Sequence, residues 1–366
     1  MPDGVCSKFL FFLLHLLSSA SDFMASIAPR YFSGTLCILL WFAPIAAQAE
    51  VERIQLTTEA LTVDVTPAIG GRVLSLALKG QPNFLWVSDE VNKQPSPQVT
   101  PEAGNIGYMG HEVWVGPQSQ WWQHQKLNSE RRAAKAVWPP DPFLVLSGYT
   151  LLTQDAQQIH MQSPASPISG VMLQKHIAAV DNNPNQIQFK VSAQNIRDTS
   201  VAWDIWFNTR VPHTTAVYVP VAQESDVRIA QFTDDTFGPI TGELQDGLWS
   251  LDNSNSPSHK GRKGKVFVQP SQGWLAAFRD QQLLIIQFPL QPKAAIHPEQ
   301  GQVELYQEFT NANIYPGLLE LEVHAPYKTL APKANMQASE TWWLMPYHGE
   351  QTAVAQRAFL RSLSGL

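Results

Sequence analysis

Cysteine is all but missing from this chain: of 366 residues, only Cys6 and Cys37 carry a thiol. Both fall inside the first 49 residues, which read as a removable leader, so the remaining chain has none. That excludes disulfide staples, thiolate catalysis and cysteine-held zinc, and it leaves stability to a large hydrophobic core. Neither cysteine stands at the expected cut site, so no lipid anchor is expected. Charge is scarce too, at 15% of residues, and leans acidic: 25 Lys and Arg against 31 Asp and Glu give a net charge of -6. Nucleic acid is therefore not an expected partner, because phosphate binding needs a basic face. Beyond the leader, no apolar run approaches the roughly 20 residues that span a bilayer. An internal repeat, a linker rich in Pro, Gly or Ser, a glycine-rich phosphate loop and a Gly-x-Ser-x-Gly elbow are absent as well. His111-Glu112 opens like a zinc-protease motif, but Val115 stands where the second histidine belongs. The other histidines show no short ligand spacing, so no metal and no cofactor are expected.

What is present begins with the leader. Arg30 supplies a positive start, Leu36 to Ala46 an apolar stretch, and Ala47-Gln48-Ala49 the small-x-small pattern that a signal peptidase cuts. Met24 stands just before this signal and is the expected true start, while the earlier run Phe9 to Leu17 is too short to span a bilayer. Cleavage leaves Glu50 first. The expectation is a periplasmic or secreted protein with no stable membrane insertion after cleavage, folded as a single domain over residues 50–366.

The chain is 44% hydrophobic and holds 27 prolines, a combination that favours strands joined by turns over long helices. Its dominant period is two. Leu61, Val63 and Val65 alternate with polar residues, as do Ile187, Phe189 and Val191, and Val201, Trp203, Ile205 and Phe207 repeat the pattern. Further short strands are predicted at 266–268, 275–278, 283–288, 303–309, 318–323 and 341–345. A single helix is predicted, over 352–363, closed by Gly365. These elements make an antiparallel all-β domain with extended or doubled sheets.

Three segments carry the chemistry. Gly107 to Gln118, followed by Trp121 and Trp122, packs His111, Glu112, Trp114 and Gln118 between glycines, on a loop or broken strand. Indole faces suit the C–H faces of a sugar, and amide, imidazole and carboxylate groups suit its hydroxyls. The same indoles also suit the core of a large β domain, and both readings stay open. In Leu319 to His324, alternation sends Leu319, Leu321 and Val323 one way and Glu320, Glu322 and His324 the other. That polar face is either solvated or one wall of a site, where partial burial would raise a carboxyl pKa toward general-base use. The basic run Ser258 to Lys265 reads as a solvated hairpin tip or as a contact for an anionic partner such as an acidic glycan or a lipid head group.

Three stretches of the chain together resemble the galactose mutarotase-like superfamily, and within it an aldose epimerase-like branch, the domain-of-unknown-function family 4380. The resemblance rests on Gly70-Gly71-Arg72 to Leu76 with Asn83-Phe84-Leu85-Trp86, on Gly110 to Gln118, and on Leu319 to His324, Leu330-Ala331-Pro332 and Glu340 to Leu344. It implies a β-supersandwich of mainly antiparallel strands with one short C-terminal helix, and a concave face that holds a small sugar or glycan. In mutarotases a late-strand glutamate takes the anomeric hydroxyl proton and a histidine protonates the ring oxygen. Glu322 matches that glutamate, whereas Trp206 stands about where the acid histidine is expected. The resemblance thus implies an aldose 1-epimerase with Glu322 as base and His111 as acid, His124, His213 and His324 being the other candidates. Arg72, Trp114, Gln118, Trp121, Glu320 and His324 are the expected sugar-binding residues. The alternative is a glycan-binding or envelope interaction protein without catalysis.

Overall fold

The period-two segments pair into two antiparallel sheets. The computed structural model describes residues 50–231, 237–254, 258–310 and 317–364; the leader through Ala49, with its cut site, and Gly365 lie outside them. The first sheet has eleven strands. In spatial order nine of them are β1 (Ile54–Thr57), β2 (Leu61–Thr66), β3 (Arg72–Leu78), β4 (His111–Gly116), β9 (Val201–Pro212), β19 (Leu318–His324), β18 (Val303–Thr310), β15 (Gly261–Val268) and β11 (Val227–Gln231). Short β12 (Phe237–Gly238) joins β15 in parallel, and β20 (Lys328–Leu330) joins β9.

The second sheet runs β13 (Gly242–Gln245), β14 (Leu248–Leu251), β10 (Ala216–Pro220), β16 (Trp274–Arg279), β17 (Gln282–Gln287), β21 (Asn335–Pro346), β8 (Asn183–Asn195), β7 (Val171–Val180), β6 (Gln158–Gln162) and β5 (Thr150–Gln154). Between the sheets lies one hydrophobic cluster to which both contribute, including Val113, Ile205, Phe207, Leu321 and Val323 from the first, and Ile187, Phe189, Leu284 and Trp342 from the second. The alternation read from the sequence is what makes this possible, since each strand turns one row of apolar side chains inward.

Helix is sparse. The C-terminal α4 (Ala353–Ser362), capped by Thr352, buries Leu360 in a smaller cluster with Tyr218, Trp274 and Phe278 on the second sheet. Three short helices not anticipated from the sequence, α1 (Glu90–Lys93), α2 (Ser129–Ala133) and α3 (Pro142–Val145), sit in the connections on either side of β4. No helix among the described residues is long and apolar enough to cross a membrane.

Two corrections concern position. The segment around His111 is neither loop nor broken strand, because β4 pairs with β9 along its whole length, from His111↔Thr209 to Gly116↔Asp204, and every residue of it is buried. The basic run is not a hairpin tip, since β14 before it and β15 belong to different sheets. From Gly261 it becomes β15, and Lys263 and Lys265 point at carboxylates of β18.

Candidate functional site

Register assembles the site. One row crosses the first sheet through Glu112 on β4, Asn208 on β9, Glu322 on β19 and Glu304 on β18. Strand alternation adds Trp114, Trp206, Arg210, Glu320, His324 and Lys265 to the same face, and puts the core residues on the other. Two interlocked ion chains occupy this face. In the first, Arg72 donates to Glu112 Oε2 at 2.5 Å and Arg210 to Glu112 Oε1 at 2.5 Å, and Arg210 Nε also donates to Glu320 at 2.8 Å. Arg72 is aimed by the Gly70-Gly71 turn, whose positive φ angles and close approach to the Val145 backbone admit no side chain at Gly70. Burial alone would raise the Glu112 carboxyl, but the two guanidiniums carry it down to about 2.

The second chain centres on Lys265, whose Nζ lies 2.6 Å from Glu304 and 2.7 Å from Glu322. His324 completes it: Nδ1 lies 3.1 Å from Asp204 and 2.9 Å from the Gln300 amide, and Nε2 is 3.5 Å from Glu304 and 4.0 Å from Glu322. These neighbours split the protonation of the group. Burial would lower the imidazole, but Glu304 and Asp204 lift it to about 9. Burial would raise Glu304, but Lys265 and His324 carry it down to about 2. For Glu322 burial prevails, helped by the negative charge of Glu304 and Glu320, and its carboxyl lies well above the ordinary range despite Lys265. One carboxylate is thus held ionised while its neighbour is tuned upward. Gly116 keeps this side in place: its N–H donates to Asp204 Oδ1 at 2.8 Å, and a Cβ there would lie 2.5 Å from both Asp204 and Gln300.

Above the ions stand four indoles. Trp206 lies against His324 at 4.7 Å between centroids, with Lys265 over its face at 4.6 Å. Trp114 meets Trp206 edge-on at 4.8 Å, Trp121 stacks on Trp206 at 5.8 Å, and Trp138 closes on Trp114 at 6.0 Å. Trp121 is pinned through Nε1 to Val115 O. Both amide atoms of Asn208, together with Nε1 of Trp114 and of Trp206, are buried without a protein partner. Buried polar groups are seldom left so, and four orphans on one face mark where a hydroxyl-rich ligand or bridging water would bond. Glu304, Glu322 and His324 also bring three ligand atoms within 4.8 Å of one another, but the Lys265 ammonium already supplies the positive charge between the carboxylates.

The sequence matches a family described as Domain of unknown function (DUF4380) over residues 51–345. The chain belongs to the DUF4380 family. No functionally curated protein matches it. Among solved structures, a galactose mutarotase-like protein from Lactobacillus casei is similar at 9% identity and a TM-score of 0.51, covering 80% of this chain and 100% of its own. A protein provisionally assigned as an aldose 1-epimerase, from Escherichia coli K12, is similar at 12% identity and a TM-score of 0.50, covering 81% and 99%. Another so assigned, from Klebsiella pneumoniae, has 14% identity and a TM-score of 0.50, covering 83% and 82%. At these identities the likeness is one of fold: this DUF4380 chain has the galactose mutarotase-like architecture.

Within that fold Arg72, Trp114, Trp121, Glu320, Glu322 and His324 come together on or against one face. Gln118 opens the short turn after β4, half-buried beside them. His111 does not join them. It lies on the opposite, inward face, packed on Trp342 at 4.8 Å and Phe189 at 5.2 Å and bonded to Thr209, and burial holds its pKa well below the ordinary imidazole value. The acid role assigned to it is therefore corrected: a neutral imidazole on the far side of the sheet cannot share a proton path with Glu322. The signal was present in the sequence, since His111 shares its parity with Val113 and Val115. Asp204, Asn208, Lys265, Gln300 and Glu304 were missed, because only long-range strand pairing brings them to Glu322.

Proposed function

We propose that this face binds an aldose and interconverts its anomers by general acid–base ring opening. The observation that carries the reading is the Glu322 and His324 pair, two residues apart on one strand, with His324 Nε2 4.0 Å from Glu322 and both beside Glu304. Glu322, its pKa lifted toward the working pH, takes the proton of the anomeric hydroxyl as the C1–O5 bond breaks. The electron pair left on O5 takes a proton from His324 Nε2. Rotation about C1–C2 and the reverse steps reclose the ring and return both protons. Glu304, held ionised by Lys265 and His324, keeps His324 charged between turnovers, with Asp204 bonded at its Nδ1. Lys265 steadies the Glu322 carboxylate, and an incoming hydroxyl takes the ammonium's place there. Support comes from the shared fold with proteins assigned as aldose 1-epimerases and from the sequence match of Glu322 to the mutarotase base. Orphaned Asn208, Trp114 and Trp206 supply groups to read hydroxyls.

Polarimetry on freshly dissolved aldoses tests this. Wild-type protein should accelerate mutarotation of at least one sugar, and Glu322→Gln should abolish the acceleration while calorimetric binding survives. Trp206, standing about where the superfamily's acid histidine is expected, favours a second reading, glycan binding without turnover. Sugar binding by the wild type with no acceleration on any aldose would select it. We also propose that residues 1–49 are an export leader and that the protein works in the periplasm or outside the cell, on the support of Arg30, the apolar stretch and Ala47-Gln48-Ala49.

A further inference from the structure

Of the four clustered indoles, three are buried and one is not. Trp114, Trp121 and Trp206 expose 3% or less of their surface, whereas Trp138 exposes 50%. A half-exposed tryptophan is informative, since indole is among the costliest side chains to leave in water. Trp138 is not adrift on a loose loop. The Trp122 Nε1 donates to Pro139 O at 2.8 Å, fixing the next residue. Two residues further on, the buried Asp141 accepts from Phe143 N and from Ser169 N, and from the Ser166 hydroxyl. On the other side Arg131 lies over the Trp122 ring at 4.4 Å and donates to the carbonyls of Pro101, Glu102 and Ala103. The ring is thus presented from an anchored backbone, against Trp114 at 6.0 Å and Trp121 at 6.3 Å, at the rim of the face that carries Glu322.

We propose that Trp138 is a stacking subsite for a second sugar unit, so that the ligand of this face is the reducing end of an oligosaccharide and not a free monosaccharide. The inference rests on the sugar-binding part of the reading above. The terminal unit meets the acids and amides of the floor, and the unit linked to it lays its C–H face on the exposed indole, as apolar sugar faces do on aromatic rings. The exposed indole offers an apolar face, which suits the C–H face of a neutral sugar unit. The subsite also needs no chemistry at Glu322, so it stands or falls independently of turnover.

Calorimetric titration with monosaccharides and with their linear trimers to pentamers, across several linkages, tests it. The wild type should bind at least one oligomer about tenfold more tightly than its monomer. Trp138→Ala should remove that advantage and leave monomer affinity unchanged, and Trp138→Phe, which keeps a ring, should restore most of it. Because the ring is half exposed, the thermal midpoint of Trp138→Ala should stay close to wild type. Equal affinity for monomer and oligomer in the wild type, equal loss of both in Trp138→Ala, or no binding by any oligomer overturns the subsite. Loss of oligomer preference in a protein that catalyses no mutarotation would refute the epimerase and leave the subsite standing.

Discussion

Glu340 shows how far burial alone can move a single group. It projects from β21 into the core, its Oε2 accepts from Trp342 Nε1 at 2.9 Å, and no cation among the described residues offsets its burial, so desolvation pushes its carboxyl up to about 8. Between its ordinary pKa near 4.5 and about 8, the folded chain holds a proton that the unfolded chain has released. Stability from this residue is therefore complete below pH 4.5 and is lost as pH rises through 8. Glu340→Gln keeps the acceptor for the indole and cannot ionise. Its thermal midpoint should match the wild type at pH 5 and exceed it at pH 8.5; parallel midpoints across that range would contradict the assignment. His111, by contrast, is a core histidine, satisfied on one nitrogen by Thr209.

At the scale of the element, β4 and β19 each turn one face to the core and one to the ions, and their alternation was readable in the sequence. Leu319, Leu321 and Val323 point inward and Glu320, Glu322 and His324 outward, as expected, and Val201 to Phe207 behaves likewise. What alternation cannot give is which strands lie side by side. Glu304, Lys265 and Asp204 are each more than fifteen residues from Glu322 in sequence and meet it only through pairing of β18, β15 and β9. The error at His111 was of another kind, an appeal to motif over parity. Strand β4 makes the element-scale prediction: Glu112 bridges two buried guanidiniums at one end, so Glu112→Ala leaves Arg72 without its carboxylate in the interior and Arg210 with Glu320 alone. Breaking such a buried pair costs about 3 to 5 kcal/mol. Urea unfolding of the variant should show a loss of that order with an unchanged slope; a loss under about 1 kcal/mol would mean water reaches this end of the sheet.

For the whole molecule, the two-sheet architecture followed from strand period and composition, and the family resemblance supplied the name of the fold. The site was legible only in the residues that share β19, and in the indoles after β4 whose packing role and binding role the sequence could not separate. Trp114 and Trp121 are buried, whereas Trp138 is half exposed. Val51 and Ile54 belong to the core. For the proposed leader, N-terminal sequencing of the exported protein should start at Glu50, and the chain from Glu50 should melt at the temperature of the exported form. Recovery of Met1 or Met24 in a membrane fraction would sink the export proposal.

The two ion chains hold an odd charge. Five carboxylates, Glu112, Glu304, Glu320, Glu322 and Asp204, share a buried face with four cations, Arg72, Arg210, Lys265 and His324. With every partner matched, one carboxylate has no counterion, and burial beside Glu304 and Glu320 makes Glu322 the one whose proton affinity is raised. That face is consequently a one-proton store whose filling depends on what lies upon it. A ligand that draws Lys265 outward removes a positive charge and tightens the store, whereas one that brings a cation empties it. Occupancy of the site and the proton count of the molecule are then two readings of the same equilibrium.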